Sequence, residues 1–581
     1  MWMWATHTDS TMNERDTGAT LWTRVLPETL HAAMEYTITC FITRGVPGGP
    51  RRITSLARPV STGKTTAISQ MVSRAVGEYG RERVAICSLT KTAAREAAGR
   101  VDLPPGHVGT LHSFAYQALG GTIVIAESHA KDWTEAYPQW PMDAPHGALD
   151  EAPVERQSKQ YLGDELLTAY SLLRARCEPL SYSTPLVRAF AEAWARWKKA
   201  QCFVDFTDLL VHALRDTVMA PCAPAVLYCD EAQDFSKLAL SLLFHWSRHL
   251  DALYLVGDPL QCLFEWAGSD YHTVFPSNMP SERTTVLSQS YRIPETVHAL
   301  AMRWICRHRN YREFAYVPRA AKGRAISSPL TLFAPDIWVE DLAIATKQQI
   351  STMIIASCSY MLVPLCTALR RAGVPFHNPW RSAQRAWNPL QISRGVSMPE
   401  RIVSLLRRET EGYWSPRDIR AWLEPLRAEG VCKTGKKTVA LLMPEDMLLG
   451  DVHSWLIEVL LPDIYTQVST MDGAHLLAWW HDHLLSKYQE SAAYPLRVYA
   501  KYGVAGLLES PSVVVGTYHS LKGAEAEVVY CAPDLSPAGF REWQEGGDGA
   551  DAILRQWYVG LTRAKEELVI LSPSTRRSLV T

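Results

Sequence analysis

The chain has 581 residues, of which 47% are hydrophobic and 20% are charged, and its formal net charge is −1. This length corresponds to roughly four domains, and the composition is that of a globular protein with enough apolar residues for several cores. The near-zero net charge excludes a uniformly basic surface, so a nucleic-acid partner would have to bind in a local groove.

The 12 cysteines are scattered along the sequence, and none lies in a CxxC pair or a Cys/His cluster with metal-ligand spacing. We therefore expect no structural metal and a reducing compartment such as the cytoplasm. The N-terminal stretch has no basic segment followed by an apolar core, and no run of about 18 apolar residues occurs, so neither a secretion signal nor a membrane span is predicted.

The first motif in chain order is ARPVSTGKTTAISQ (57–70), which is typical of a phosphate-binding loop that has lost some of its glycines. Apolar runs follow at 83–89, 224–232 and 252–258, and they end in polar residues. Such runs predict buried parallel strands with functional loops at their carboxyl ends. The stretch near 115–205 lacks this pattern and is predicted to be helical.

A second group of apolar runs lies at 352–358, 512–518 and 567–572. A helix-rich stretch near 380–505 interrupts it, and there Ser415 is predicted to cap a helix that begins at Pro416. The two groups predict an α/β protein with two parallel sheets and two mainly helical insertions.

Two strand ends carry side chains suited to nucleotide chemistry. VLYCDEAQD (226–234) places Asp230 and Glu231 after a predicted strand, where a nucleotide hydrolase holds a metal ion and a base; the alternative is an exposed acidic turn. In LVGDPLQCLFEWAGSD (255–270), Gln261 can sense a terminal phosphate. Trp266 can stack on an unpaired base, although it can equally be a core residue.

The complete set of motifs resembles the superfamily 1 DNA helicases of the UvrD/Rep type. The motifs occur in the order GKT, TKTAA, GTLHSF, VDFTDLL, DEAQD, GDPLQ, SYR, GTYHSLKGAE and YVGLTRAK, and they span nearly the whole chain. The resemblance implies two RecA-like P-loop domains that bind ATP and Mg²⁺ between them. A shared fold without a shared activity remains an alternative.

For catalysis, the resemblance implies that Lys64 binds the β and γ phosphates and that Glu231 acts on the attacking water. Thr65 and Asp230 would hold Mg²⁺, and Gln261 would report on the γ-phosphate. Further residues are implied to contact the nucleotide: Ser61, Thr62, Gly63 and Thr66 from the loop, Arg292 and Arg563 as arginine fingers, Tyr291 on the adenine and Glu525 on the ribose.

The implied partners are single-stranded DNA and junctions between duplex and single strand. The residues that the resemblance assigns to DNA binding are Thr90, His112, Ser113, Phe114, Trp266, Thr517 and His519. The implied polarity is 3′-to-5′, and the implied setting is the cytoplasm of a bacterial or phage-infected cell, with replication or repair partners that the sequence does not identify.

The resemblance also implies four domains. Residues 1–110 and 206–285 would form the first RecA-like domain, with 1–60 atypical, and 111–205 its helical insertion. Residues 286–380 and 506–581 would form the second RecA-like domain, and 381–505 its helical insertion.

The sequence departs from the family pattern in several places. Arg58 and Ser61 stand in the phosphate loop where small residues are preferred, and no glutamine occurs before Gln70 to read the adenine. Leu89 replaces an aromatic residue, and Ala267 replaces a common arginine. A further departure is the loss of the EERR sequence before the last motif, of which only Arg555 is kept.

A frameshift would account for the departures near the loop. With suitable synonymous codons, a shifted reading of residues 56–60 encodes Gly-Pro-Pro-Gly, the expected opening of the loop. In that case the region before residue 61 is foreign to the fold, and we expect the first strand to be missing.

Three functions are therefore considered. The first is an ATP-dependent DNA helicase or translocase that moves on single-stranded DNA and couples ATP hydrolysis to duplex unwinding. The second is a non-catalytic DNA-binding protein with a degenerate ATP site. The third is the motor subunit of a helicase–nuclease complex.

Overall fold

The computed structural model describes residues 52–57, 64–90, 94, 97–143, 161–274, 284–286, 288–311, 316–381, 386–391, 395–442, 444, 447 and 449–580. The chain divides into two compact units: Met1–Lys322 with Arg541–Thr562, and Gly323–Phe540 with Arg563–Thr581. This division groups residues 286–322 with the first unit, whereas the sequence assigns them to the second RecA-like domain. The four-domain organisation stays a prediction.

The first unit contains a six-stranded sheet in the order β3-β2-β6-β7-β1-β8, in which neighbouring strands are parallel. The parallel sheet predicted from the first group of apolar runs is thereby confirmed. The strands of this unit are β1 (Arg52–Ala57), β2 (Val84–Ser88), β3 (Val108–Thr110), β4 (Val124–Ile125), β5 (Phe203–Val204), β6 (Val226–Cys229), β7 (Ala252–Gly257), β8 (Thr284–Val286), β9 (Gln289–Pro294) and β10 (Val317–Arg319).

The strand that a frameshift would remove is present. The backbone of β1 pairs along its whole length with β7, from Arg52 opposite Ala252 to Ala57 opposite Gly257, and it also pairs with β8. The expectation of a missing first strand is therefore wrong for residues 52–57. The sequence RITSLA contains Ile and Thr, β-branched residues that favour a pleated strand.

Both faces of strand β2 are buried, since all five of its residues are buried and alternate residues of a strand point to opposite sides of the sheet. Ala85 and Cys87 belong to one hydrophobic cluster, while Val84 and Ile86 belong to another. Burial on both faces explains why these strands are continuous apolar runs rather than alternating patterns.

The first unit also contains a helical stretch between β4 and β5 with its own hydrophobic cluster, in which Trp133, Phe190 and Trp194 are fully buried. The paired strands β4 and β5 stand at its two ends, which agrees with the predicted helical stretch. The helices of this unit up to residue 305 are α1 (Lys64–Tyr79), α2 (Leu111–Ala118), α3 (Ala130–Ala136), α4 (Leu162–Ala175), α5 (Pro185–Gln201), α6 (Phe206–Asp216), α7 (Lys237–Ser247), α8 (Tyr271–Val274) and α9 (Glu295–Ile305).

A buried charge cluster joins helices α4 and α5 to helix α6. Asp205 caps α6 and accepts hydrogen bonds from Arg174 at 2.8 and 2.9 Å, from Lys198 at 2.5 Å and from the indole of Trp194 at 3.0 Å. Burial opposes ionisation of Asp205, but the positive charges of Arg174 and Lys198 hold its pKa below the usual range. The carboxylate is thus ionised and fully paired.

Glu127 lies next to this cluster, and its pKa is raised, whereas that of Asp205 is lowered. Its Oε1 accepts a hydrogen bond from the backbone N–H of Phe206 at 3.0 Å, and its buried Oε2 has no hydrogen-bond partner among the described residues. Burial, followed by repulsion from Asp205, raises the pKa of Glu127 to about 8. The side chain is therefore largely neutral at neutral pH.

The second unit contains another six-stranded parallel sheet, in the order β11-β16-β15-β12-β14-β13. Each apolar run of the second group forms one of its strands, which confirms the prediction of a second parallel sheet. The strands are β11 (Arg324–Ser327), β12 (Thr352–Ala356), β13 (Phe376–His377), β14 (Val513–Thr517), β15 (Ala526–Cys531) and β16 (Ala564–Ile570).

Helices fill the predicted stretch between β13 and β14. As predicted, Ser415 caps the helix that begins at Pro416. The Asp418 carboxylate in turn accepts a hydrogen bond from the Ser415 backbone N–H. One hydrophobic cluster runs from this sheet into these helices. The remaining helices are α10 (Val339–Lys347), α11 (Val363–Ala372), α12 (Met398–Glu411), α13 (Pro416–Leu423), α14 (Lys436–Ala440), α15 (Leu449–Val459), α16 (Pro462–Thr470), α17 (Gly473–Asp482), α18 (Ser486–Leu508), α19 (Pro537–Glu545) and α20 (Gly547–Leu561), the last of which belongs to the first unit.

Across the described ranges, no helix combines the length and the apolar character needed to cross a bilayer.

Replacing Asp205 by Ala should lower the free energy of unfolding of the first unit by about 3–5 kcal/mol, because it leaves the buried charges of Arg174 and Lys198 with Asp208 as their remaining carboxylate partner. The Asp216→Ala variant is the control, since Asp216 pairs with Arg215 at the surface and such pairs contribute about 0–1 kcal/mol. Denaturant titration of both variants measures the difference. Because the folded-state pKa of Asp205 is depressed, the contribution is present above an unfolded-state pKa of about 3.9 and is lost at lower pH. Equal destabilisation of the two variants would contradict the role of the cluster.

Replacing Glu127 by Gln should make the protein more resistant to heating at high pH than the unmodified chain. The folded-state pKa of Glu127 is raised, so the wild type loses stability as the pH rises from the unfolded-state value towards about 8, and Gln carries no such penalty. The thermal midpoints of the two proteins should therefore diverge progressively between about pH 4.5 and about pH 8. The exposed Glu135 supplies the control Glu135→Gln, for which we expect no divergence.

Candidate nucleotide and nucleic-acid sites

Several predicted motifs meet at one edge of the first sheet. Asp230 follows β6 and Asp258 follows β7, and these strands are adjacent and parallel. Because the carboxyl ends of parallel strands lie at the same edge, the two carboxylates are brought to one region. Both are buried, and the backbone N–H of Asp230 donates to the carbonyl of Cys87 at 2.9 Å. Strand β1, on the other side of β7, leads to the phosphate loop from the same edge.

Glu231 has an unusual backbone conformation. Its φ is +53°, in the left-handed region, which is uncommon for residues other than glycine. Its N–H donates to Oδ1 of Asp230 at 2.9 Å. Strained backbone of this kind is concentrated at functional sites, and here it turns the chain sharply after β6 so that Asp230 and Glu231 are presented side by side.

Gln233 connects the two strand ends. Its amide nitrogen donates to Oε2 of Glu231 at 2.5 Å, and its amide oxygen accepts from the backbone N–H of Asp258 at 3.0 Å. The side chain is completely buried. Gln233 is absent from the predicted site residues, although its place inside DEAQD is a signal that could have identified it.

Gln261 is held in one orientation by Asp258. Its amide nitrogen donates to Oδ2 of Asp258 at 2.7 Å, while Oδ1 accepts from the N–H of Leu260 at 3.0 Å. Gln261 and Asp258 are both buried. The structure therefore links Glu231, Gln233, Asp258 and Gln261 through consecutive hydrogen bonds, a set that the sequence predicts only in part.

The phosphate-loop residues Ser61, Thr62 and Gly63 lie outside the described residues. Helix α1 begins at Lys64, so the predicted phosphate ligands stand in its first turn, where backbone N–H groups favour anions. The side chains of Lys64, Thr65 and Thr66 also lie outside the described part of the chain. One buried carboxylate, Asp230, together with a hydroxyl suits Mg²⁺, which takes its other oxygens from phosphates and water.

The predicted DNA-binding turn in the first unit is built around the start of α2. Thr110 caps this helix by accepting from the N–H of Ser113 at 3.1 Å, and the Ser113 hydroxyl donates to the Thr110 carbonyl at 2.7 Å. The His112 ring meets Phe206 edge-on, with the centroids 6.1 Å apart. Burial lowers the pKa of His112 to about 4, so its imidazole is neutral at neutral pH.

Phe114 is placed differently from its neighbours. Its side chain is fully buried in the hydrophobic cluster beneath α2, so the ring anchors the turn and offers no open face to a base. Thr90 follows β2, and its carbonyl accepts from the Ser88 hydroxyl at 2.9 Å. Gly109 is required by close packing, because a Cβ there would lie 2.5 Å from the Ser113 hydroxyl.

Trp266 stands in the short turn Glu265–Ala267 that follows Gln261 and is partly exposed. Its ring lies 6.2 Å from that of Phe264, centroid to centroid. Its buried indole nitrogen has no hydrogen-bond partner among the described residues. Trp266 packs against the core cluster while it remains partly exposed, so its packing role is observed and its stacking on a base stays a prediction.

Tyr291 and Arg292 lie in β9, which belongs to the first unit. The Tyr291 side chain is 70% exposed, which leaves its ring available for stacking on an adenine. Arg292 is partly buried, and its backbone N–H donates to the Ser290 hydroxyl at 3.3 Å.

The predicted residues of the second unit lie at opposite edges of its sheet. Thr517 ends β14, where it exchanges backbone–hydroxyl hydrogen bonds with Ser520, and His519 is buried beside it. Glu525 precedes β15 and Arg563 precedes β16, so both stand at the amino edge. The buried Arg563 donates a hydrogen bond to the Ala524 carbonyl at 3.2 Å. Oε1 of Glu525 lies 3.5 Å from Nζ of Lys565.

No curated protein matches the chain. A family model described as the UvrD/REP helicase N-terminal domain matches residues 61–278. The matched range includes the phosphate loop, the Asp230–Glu231 pair and the Gln261–Trp266 segment. Residues 61–278 are thus similar to the N-terminal domain of UvrD/REP helicases, which confirms the resemblance of this chain to the UvrD/Rep-like superfamily 1 helicases.

Proposed function

We propose that this helicase-family protein is an ATP-dependent motor that moves 3′-to-5′ along single-stranded DNA and unwinds duplex at junctions. The observation that carries this proposal is the hydrogen-bonded set of Glu231, Gln233, Asp258 and Gln261 beside Asp230. The left-handed backbone of Glu231 at the sheet edge supports a functional role, because strained backbone is concentrated at functional sites. The family match supports ATP and DNA as the ligands.

In the proposed reaction, Glu231 orients the attacking water and accepts its proton. The hydrogen bond from Gln233 fixes the Glu231 carboxylate, so little reorganisation is needed when water binds. Asp230 and Thr65 would hold Mg²⁺, which would supply positive charge to the phosphates. Lys64 would bind the same phosphates, and Gln261 would contact the terminal one.

Arg292 and Arg563 are proposed to add positive charge at the terminal phosphate. An arginine in this role stabilises charge that develops in the transition state, and its effect on kcat is about 10³–10⁵-fold in other nucleotide hydrolases. Tyr291 is proposed to stack on the adenine and Glu525 to bind the ribose. Burial of Arg563 against the Ala524 carbonyl supports a fixed guanidinium rather than a mobile surface charge.

The nucleic-acid contacts are proposed to come from the α2 turn and Trp266 in the first unit and from the Thr517 turn in the second. Neutral His112 can donate or accept one hydrogen bond without adding charge. Trp266 would supply a stacking face for an unpaired base, an interaction of about 1–3 kcal/mol. We propose the cytoplasm of a bacterial or phage-infected cell as the setting.

The second candidate is a DNA-binding protein that does not hydrolyse ATP. Arg58 and Ser61 favour it, because both place bulk in a loop whose backbone must approach phosphates closely. Both residues lie outside the described part of the chain. A role as the motor subunit of a helicase–nuclease complex would require a partner that carries the nuclease.

Wild-type protein should hydrolyse ATP, and single-stranded DNA should accelerate the reaction. Lys64→Ala should abolish hydrolysis because the phosphates lose their cation, and Glu231→Gln should lower kcat by about 10²–10⁴-fold because a proton acceptor is lost. Phosphate release measured with and without DNA checks both. The control is Lys131→Ala, at an exposed position on helix α3.

DNA binding by the wild type without hydrolysis would establish the second candidate instead. Hydrolysis retained by Lys64→Ala would mean that the nucleotide binds elsewhere on the chain.

A strand-displacement assay tests polarity and unwinding together. Duplexes with a single-stranded 3′ tail should be separated in the presence of ATP and Mg²⁺, whereas duplexes with a 5′ tail or blunt ends should not. Displacement of streptavidin from biotinylated single strands separates translocation from unwinding. Activity restricted to 5′-tailed duplexes would contradict the proposed direction.

A further inference from the structure

Arg555, in helix α20, is almost completely buried, and each of its three guanidinium nitrogens has a hydrogen-bond partner. Its Nε donates to the carbonyl of Cys262 at 3.0 Å, and one terminal nitrogen donates to Nε2 of His308 at 2.5 Å. The other terminal nitrogen forms an ion pair with Glu265, and the guanidinium carbon lies 5.3 Å from the Tyr271 ring centroid. All these residues belong to the first unit.

The contacts of Arg555 enclose one short segment of chain. Cys262 immediately follows Gln261, which is proposed to contact the terminal phosphate. Glu265 immediately precedes Trp266, which is proposed to bind a base. One side chain thus binds both ends of the segment 262–265 that separates a nucleotide contact from a nucleic-acid contact.

The ion pair between Arg555 and Glu265 restricts movement of segment 262–265 relative to helix α20. Burial raises the pKa of Glu265 above its usual range, against the opposing effect of Arg555. Burial, followed by the charge of Arg555, lowers the pKa of His308 to about 4, so His308 is neutral and accepts the arginine hydrogen bond. Arg555 is buried and the Glu265 side chain is 34% exposed, so separating them leaves the buried guanidinium without this carboxylate, and we expect a movement of Glu265 to carry Arg555 with it.

Helix α20 is also attached through Asp551, one turn before Arg555, and the chain continues from the helix to Arg563 in the second unit. Asp551 accepts from Nε of Arg309 at 2.8 Å and from its backbone N–H at 3.1 Å. The helix ends at Leu561, and Arg563 follows two residues later. A displacement of Arg555 is therefore passed along a rigid helix, over about 9 Å from residue 555 to residue 561, towards the proposed arginine finger.

We propose that Arg555 is a positioning residue that couples the binding of single-stranded DNA at Trp266 to ATP hydrolysis, by joining segment 262–265 to the helix that precedes Arg563. This inference rests on the proposed function. It also gives a role to the only arginine kept from EERR before the last motif. Stacking of a base on Trp266 shifts Glu265, and Arg555 transfers that shift to α20 and so to Arg563.

A purely structural role for Arg555 makes a different prediction. In that case its loss lowers the stability of the first unit and reduces hydrolysis with and without DNA in the same proportion. Coupling instead predicts a change in the ratio of the hydrolysis rate with single-stranded DNA to the rate without it, which we term the stimulation factor. A change in this ratio at constant basal rate separates the two roles.

Two conservative variants test the coupling. Glu265→Gln keeps the shape of the side chain and removes its charge, and Arg555→Lys keeps the charge and removes the planar fork that reaches several acceptors at once. The stimulation factor should fall about tenfold in each, within the usual range of coupling between sites. The basal kcat, the KM for ATP and the Kd for single-stranded DNA should stay near the wild-type values.

The double variant and matched controls complete the experiment. If Arg555 acts through Glu265, the stimulation factor of the double variant should be no lower than that of the more impaired single variant. The controls are Glu295→Gln and Arg303→Lys, which change exposed residues of α9 in the same unit, and thermal midpoints are recorded for every variant.

A stimulated wild type whose Glu265→Gln and Arg555→Lys variants keep the full stimulation factor overturns the coupling role alone. A parallel fall of basal and stimulated rates with a lower thermal midpoint also overturns it, in favour of a structural role. A wild type whose hydrolysis DNA does not stimulate overturns the proposed function, and this inference with it.

Discussion

The buried amide of Gln233 holds the candidate active site together. It joins the residue after β6 to the residue after β7, so the carboxylate of Glu231 and the backbone of Asp258 occupy fixed positions relative to each other. Asp258 in turn orients Gln261. An apolar residue at position 233 would leave these buried polar groups without partners, which is costly inside a protein. The parallel sheet brings the strand ends together, and this amide sets their geometry.

The parallel sheets could be predicted because each strand is a local apolar run and burial on both faces leaves a clear mark in the sequence. The Asp230–Glu231 pair and Gln261 could be predicted because they stand where such runs end. The structural place of Phe114 could not, since its motif gives no sign of whether its ring faces the core or a ligand. Nor could the contacts of Arg555 with Cys262 and Glu265, because those residues are distant in sequence and meet only through packing.

The second unit arranges its predicted residues differently from the first. GTYHSLKGAE runs from the carboxyl end of β14 to the amino end of β15, so Thr517 and Glu525 lie at opposite edges of one sheet. A single continuous motif therefore serves two surfaces. Gly516 keeps the first of these turns compact, since a Cβ there would lie 2.6 Å from both Asn378 and Ser520 side chains. Arg563 and Glu525 share the second edge.

The left-handed backbone of Glu231 restricts which amino acids can ever replace it. Valine, isoleucine and threonine are strained in that region, whereas aspartate and asparagine enter it readily. Aspartate, however, is one methylene shorter and would withdraw its carboxylate from the Gln233 amide. Substitution at this position is thus limited by two opposing constraints. The backbone conformation favours a short side chain, whereas the hydrogen bond from the Gln233 amide requires a long one. Glutamate meets the second constraint but not the first.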